Sequence, residues 1–169
     1  IECFNDEIKK YNLKNKFDLI TFFQVFEHIA EPIEFLLEVK ERLKNNGRLI
    51  IEVPNLNDPV IYFDQNKNYK DFYYRRPHEF YYDKKSLKYV LNKAGLKGEI
   101  KGIHRYNFSN LVNWHINGET QVSSSVAMAE YPINVNDKSF MRLISKNEER
   151  YKSYLEKNLK SESLYFYGK

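Results

Sequence analysis

An α/β fold with a parallel sheet is predicted by three stretches of this 169-residue chain. Phe17-Asp18-Leu19-Ile20-Thr21-Phe22-Phe23 is a short, nearly continuous apolar run, the pattern of a strand buried on both faces. A helical pattern opens at Pro32, and Arg48-Leu49-Ile50-Ile51-Glu52-Val53 then reads as a second strand. Strand, helix and strand with short joins make a right-handed crossover unit, so the two strands lie parallel in one sheet.

The helix between them is read from its faces. Ile33, Leu36, Leu37 and Leu43 fall on one side and Glu34, Glu38, Glu41 and Arg42 on the other, with Glu38 and Arg42 in the favourable i, i+4 order. Asn46-Gly47 predicts a left-handed stop to this helix, and Pro54-Asn55 closes the second strand because proline has no amide to give a ladder. From Leu56 to Tyr82 no period holds, yet Tyr62, Phe63, Tyr69, Phe72, Tyr73, Tyr74, Phe80, Tyr81 and Tyr82 crowd the stretch. The segment 56–82 reads as an aromatic substrate loop above the carboxyl ends of the strands; the alternative is that its rings only pack the loop onto the domain. Asp83 predicts a helix cap, Leu87, Val90, Leu91 and Ala94 repeat at helical spacing, and Gly95 stops the helix. Gly98 to Arg105 alternates weakly as a third strand, and Ser163-Leu164-Tyr165-Phe166-Tyr167 reads as the last. Residues 106–160 form a long insertion between those two strands. It holds a stretch without clear pattern, Tyr106 to Asn136, and an amphipathic helix from Lys138 to Lys160 with Phe140, Ile144, Tyr151, Leu155 and Leu159 on its apolar stripe.

Composition narrows the function. Hydrophobic residues make up 42% of the chain, enough for one domain with a core. Lys and Arg total 27 against 23 Asp and Glu, a formal charge of +4 with basic residues dispersed among acids, so no nucleic-acid partner is expected. Arg75, Arg76 and His78 form a local cluster that suits an anion such as a phosphate, or lies in a solvated loop. The lone Cys3 makes no internal disulfide, and no Cys and His pattern has metal spacing, so a reducing, cytoplasmic setting and no metal are expected. No apolar run approaches the roughly 20 residues a membrane span needs, so no membrane partner is expected. The first residues, Ile1-Glu2-Cys3-Phe4, lack the make-up of a signal peptide, and a start without Met suggests a trimmed piece.

Phe17-Asp18-Leu19-Ile20, then Val25-Phe26-Glu27-His28-Ile29 with Glu31-Pro32, then Leu43 through Asn55, resembles the fourth strand, fourth helix region and fifth strand of class I S-adenosylmethionine-dependent methyltransferases. His78-Glu79-Phe80-Tyr81-Tyr82, Ser86-Leu87 and Lys93-Ala94-Gly95-Leu96 resemble the stretch before the sixth strand in the branch that modifies small molecules and sugars. Arg105-Tyr106, Asn110, Trp114 and the tail around Ser163-Leu164-Tyr165-Phe166 are similar to that branch as well, whose last two strands form an antiparallel hairpin. The resemblance implies a single partial domain over 1–169: a Rossmann-like fold carrying strands 4 to 7, without the first strands and the glycine-rich loop. The six glycines, Gly47, Gly95, Gly98, Gly102, Gly118 and Gly168, make no Gly-x-Gly turn after an early strand. Ile1 to Ile8 would correspond to the third strand. An uncovered inner sheet edge is then expected to drive self-association or pairing with another chain.

The resemblance implies methyl transfer from S-adenosylmethionine to a small-molecule or nucleotide-sugar acceptor, weak or absent in this piece alone. Phe23 and Gln24 are then expected to contact the cofactor. His28 and His78 are the candidate catalytic bases for a hydroxyl acceptor, since histidine titrates near neutral pH. Glu27, Asn55, Arg75, Arg76 and Tyr81 are the candidate substrate contacts. Each has a plainer reading: Glu27-His28 complements a helix start, and Asn55 forms a turn. Trp114 reads as a packing anchor, and His104 and His115 carry no assignment. A non-catalytic half-fold acting as an accessory module is the competing reading. A Rossmann dehydrogenase fits less well, because such enzymes do not usually finish with this helix and hairpin.

Overall fold

The structure, a computed structural model, describes residues 16–62, 67–119, 127–128 and 136–169. The strand expected at Ile1 to Ile8 and the ring of Phe63 lie outside the described residues. Strand β1 (Phe17–Phe23) leads through a 3-10 turn (Phe26–His28) to helix α1 (Pro32–Glu41) and strand β2 (Leu43–Pro54). A second 3-10 turn (Pro59–Tyr62), α2 (Lys67–Tyr73) and α3 (Lys84–Lys93) precede β3 (Gly98–Ile103). Helices α4 (Phe108–Asn117) and α5 (Lys138–Lys157) then lead to β4 (Ser163–Gly168).

The strands form one sheet in the order β1-β2-β4-β3. β1 and β2 run parallel, as the crossover rule requires, and β4 inserts antiparallel to both β2 and β3. The α/β class and the antiparallel closing hairpin are therefore as the sequence predicts. β2 and β4 have neighbours on both sides, and Leu49, Ile51, Val53, Leu164 and Phe166 from them sit in the core with Leu36, Val39, Leu87 and Leu91 from the helices.

β1 differs from its expectation. It is an edge strand among the described residues, so only Ile20 and Phe22 pack on the core, while Leu19 is 51% and Phe23 53% exposed. Apolar continuity does not show that both faces of a strand are covered, and here the face carrying Leu19 and Phe23 is open while that of Ile20 and Phe22 packs on the core. α1 is also shorter and rotated: Leu36 and Val39 are its buried residues, Leu37 is 46% exposed, and Leu43 is buried as the first residue of β2. Asn46-Gly47 falls inside β2, and positive φ occurs at Gly95 and Gly118 but not at Gly47. The glycine there serves close approach instead, since a Cβ would lie 2.8 Å from the Phe17 carbonyl oxygen of β1.

The aromatic loop is partly helical, and its rings divide between two tasks. Tyr69 and Tyr73 of α2 join Val60, Ile61 and Trp114 in a second small core, so Trp114 is the anchor the sequence suggests. Tyr62, Phe72, Tyr74 and Phe80 stay exposed. α4 fills part of the stretch without pattern. Its cap, Asn107, accepts from the Asn110 amide, and the buried carboxylate of Glu148 on α5 accepts from the Phe108 amide at 3.1 Å. That contact explains an acid on the inner face of α5. The same helix ends at Lys157, before Leu159, which has left-handed φ yet still packs on the core.

Candidate active site

The carboxyl ends of β1 and β2 lie side by side, Phe23 opposite Glu52, and β4 begins beside them with Ser163 opposite Pro54. Parallel strands must present their ends on one edge, and the chain leaves the sheet there, which opens a crevice. A cleft of about 710 Å³ occupies that edge. Its walls come from the β1 end and the 3-10 turn after it, from α2 and the loop that follows, and from Arg105, Tyr106 and Glu162 at the far strands.

Of the residues singled out from sequence, Phe23, Gln24, Glu27, His28, Arg75 and His78 all line this cleft. Gln24 takes φ +54, a left-handed turn that takes the chain out of the strand. Its amide donates to Glu52 Oε1 and Ser163 Oγ, each at 3.3 Å, tying the ends of three strands together. Glu27 is 1% exposed, and burial pushes its carboxyl above the usual range, offset by its own backbone and by His28. His28 Nδ1 donates to the Pro77 carbonyl at 2.7 Å, while the amides of Glu79 and Phe80 donate to the Glu27 carbonyl. These bonds staple the loop 75–80 onto the turn after β1 and bring His78 to His28, ring centroids 4.8 Å apart. Burial holds His78 below the ordinary histidine value, so its ring is neutral at neutral pH.

Three candidates lie elsewhere. Asn55 is fully buried, and its side-chain amide donates to the Leu159 and Ser161 carbonyls while its oxygen accepts from the Asn57 amide. Its side chain bonds two backbone segments, 159–161 and its own turn at Asn57, and it does not line the cleft. Tyr81 accepts from the Arg75 amide at 2.7 Å and donates to the Tyr73 carbonyl, shaping the loop from behind. Arg76 is exposed and outside the lining. Of the expected basic cluster, Arg75 and His78 reach the cleft, and the Arg75 guanidinium stacks 4.3 Å from the Phe72 ring at its wall.

Four carboxylates line the cleft that sequence reasoning did not separate from ordinary surface or strand acids, or did so only for Glu27. Glu52 is buried at the end of β2 and receives Arg105 bidentately, at 2.7 and 2.8 Å. Glu162 accepts from the Arg105 and Tyr106 amides at 3.0 and 3.2 Å, and burial still pushes it up to about 7. Asp58 accepts from the Tyr69 hydroxyl at 2.7 Å and is also raised by burial. The only signal for them was position: Glu52 interrupts an apolar strand, where an acid needs a partner.

The chain is similar to known methyltransferases over parts of its length. Residues 2–99 match a family model described as a methyltransferase domain. A segment of 51 residues is 33% identical to the mitochondrial ubiquinone biosynthesis O-methyltransferase of Schizosaccharomyces pombe, covering 30% of this chain and 19% of that enzyme. Among solved structures, a SAM dependent methyltransferase from Archaeoglobus fulgidus overlaps at 16% identity with a TM-score of 0.48, covering 91% of this chain and 59% of its own. The plantazolicin methyltransferase BamL, in complex with a triazolic desmethylPZN analog and SAH, overlaps at 13% identity with a TM-score of 0.42, covering 93% of this chain and 54% of its own. The chain thus spans less than two thirds of each of these proteins.

Proposed function

The chain belongs to the methyltransferase-domain family, matched over more than half its length, and from that membership we propose that it helps transfer a methyl group from S-adenosylmethionine to a hydroxyl of a small-molecule or sugar acceptor. When bound, S-adenosylmethionine supplies an electrophilic methyl on a sulfonium. The protein's part is to set the acceptor in line with it and keep water out. The residues present fit one wall of that site: the half-exposed ring of Phe23 offers an apolar face, and Gln24 turns the chain away at the strand end.

The observation that carries the acceptor assignment is the meeting of Glu27, His28 and His78 on the cleft wall, although the two histidines are far apart in sequence. A neutral imidazole beside a buried carboxylate is suited to receive the proton that a hydroxyl loses as it is methylated. Tyr69, Phe72, Tyr73 and Tyr106 supply flat surfaces for an acceptor ring, and Arg75 is placed for a phosphate if the acceptor is a nucleotide sugar.

Calorimetry with S-adenosylhomocysteine on the protein at its native length tests the reading. Binding is expected, and Phe23→Ala and Gln24→Ala are each expected to weaken it by ~10-fold, a loss of ~1.4 kcal/mol. An absence of binding by the native-length protein would sink the enzyme assignment and favour the accessory-module reading.

A further inference from the structure

We propose that Glu27, His28 and His78 form a binding site for a divalent first-row transition ion of the zinc class. One carboxylate oxygen and two imidazole nitrogens lie within 4.8 Å of one another. His28 Nε2 is 3.8 Å and His78 Nε2 is 4.0 Å from Glu27 Oε1. Those gaps are too long for hydrogen bonds, which close to ~2.7–3.2 Å. Ligands held ~2.0–2.2 Å from a zinc ion stand a little over 3 Å apart, so small side-chain rotations close the set around an ion.

Two further observations point to a ligand. Among the described residues, Glu27 Oε2 is buried without a hydrogen-bond partner, as is His78 Nδ1. A buried carboxylate oxygen and a buried ring nitrogen left unmatched on the same cleft wall are costly, and a cation drawing both side chains inward relieves the carboxylate. His28 is already set as a ligand. The Pro77 carbonyl can only accept, so Nδ1 is the donor there and Nε2, 3.8 Å from Glu27 Oε1, is the nitrogen left for an ion. A ligating histidine is characteristically oriented this way, its second nitrogen bonded to a carbonyl.

Two imidazoles and one carboxylate leave coordination positions open, and all three residues line the cleft, so the open positions face the acceptor. An ion there would hold the acceptor oxygen and increase its acidity, so that the proton would leave to water in the open cleft as the methyl arrives; the base role given to the imidazoles above then belongs to the ion-free site. This role rests on the methyl-transfer reading, whereas ion binding does not. Adjacent Glu27 and His28 with His78 distant in sequence match no ligand spacing, which is why no metal was expected.

The test titrates the chelator-treated native-length protein with Zn²⁺ by calorimetry and with Co²⁺ by visible absorption, with no cofactor or acceptor present. One equivalent is expected to bind, and His28→Ala, His78→Ala and Glu27→Gln are each expected to weaken it by more than ~100-fold, beyond what loss of a supporting contact does. His115→Ala, on the exposed face of α4, is expected to bind as the native protein does. Circular dichroism separates lost binding from lost folding. The Co²⁺ bands of the unaltered protein report histidine ligation without any variant. Native-level binding in the His28→Ala/His78→Ala double variant, no binding at all, or preference for Mg²⁺ over both probes would each overturn the site. Intact ion binding without S-adenosylhomocysteine binding would count against the methyl-transfer reading alone.

Discussion

Glu162 and His104 touch across the join between β3 and β4, and burial moves them in opposite directions. Glu162 is pushed up from 4.5 to about 7 by burial, which the Tyr106 and Arg105 amides and the Arg105 charge only partly offset. His104 is pushed down from 6.5 to about 4 by burial, with the Lys152 charge adding to it. His104 Nδ1 accepts from the Glu162 amide, the Tyr151 ring meets it edge-on, and Glu156 accepts from its backbone amide. Between 4.5 and about 7 the folded state holds an extra proton on Glu162, so stability falls as pH rises through that window. Between about 4 and 6.5 the unfolded state holds the extra proton on His104, so stability is lost as pH falls. The two slopes oppose where the windows overlap. Urea midpoints measured from about pH 5 to about pH 7 should therefore tilt downward with pH in His104→Gln and upward in Glu162→Gln, each relative to the native protein. Unchanged slopes in both variants would show that neither group is shifted. At this scale sequence found His28 and His78 because they stand next to strand ends and aromatic runs. It left His104 unassigned and Glu162 unremarked because burial of a single polar residue depends on partners brought from distant chain positions.

Elements whose ends are set locally were legible, and those set by neighbours were not. α3 is the clear case. Asp83 accepts from the Ser86 amide at 2.7 Å, Ser86 returns a bond to the Asp83 amide, and Gly95 at φ +67 ends the helix. Every one of those determinants lies within a few residues of the helix itself. Asp83→Ala should cost about 1 kcal/mol, read as a lowered urea midpoint with unchanged steepness. α1 stops at Glu41 because β2 must start at Leu43 to pair with Phe17, a tertiary demand that Asn46-Gly47 obscured. α2 and α4 were missed because their buried faces are made of Tyr69, Tyr73 and Trp114, whose rings meet each other and leave no aliphatic stripe. Between β3 and β4, Gly98 pairs with Gly168, and a Cβ on either would stand 2.5 Å from the Phe166 ring. Gly98→Val is therefore expected to destabilise by about 1–3 kcal/mol through overpacking, whereas Glu99→Val on the exposed neighbour should not. Equal stability of the two variants would mean that the β4 backbone, whose Tyr167 carbonyl oxygen would meet the new Cβ, and the Phe166 ring both yield freely.

At the scale of the whole molecule, the sheet has an edge strand on each side. Among the described residues β3 pairs with β4 alone and β1 with β2 alone, and of the two edges β1 is the one whose large apolar side chains are exposed. Leu19 and Val25 stay exposed near that edge, and the Phe23 ring adds to the same surface before it enters the cleft. Unpaired amides and carbonyls beside exposed apolar side chains template the addition of another strand. The chain of residues 1–169 should accordingly associate with a second copy through β1, seen as a molar mass that rises with concentration in light scattering. Leu19→Lys places a charge on the edge without touching the cleft, and it should return the chain to a monomer while leaving its circular dichroism unchanged. A native chain that stays monomeric at every concentration, with the β1 amides slow to exchange, would mean that the edge is already satisfied within one molecule. Association that survives Leu19→Lys would place the contact on another surface, of which the exposed Phe108, Val112 and Ile116 of α4 are one.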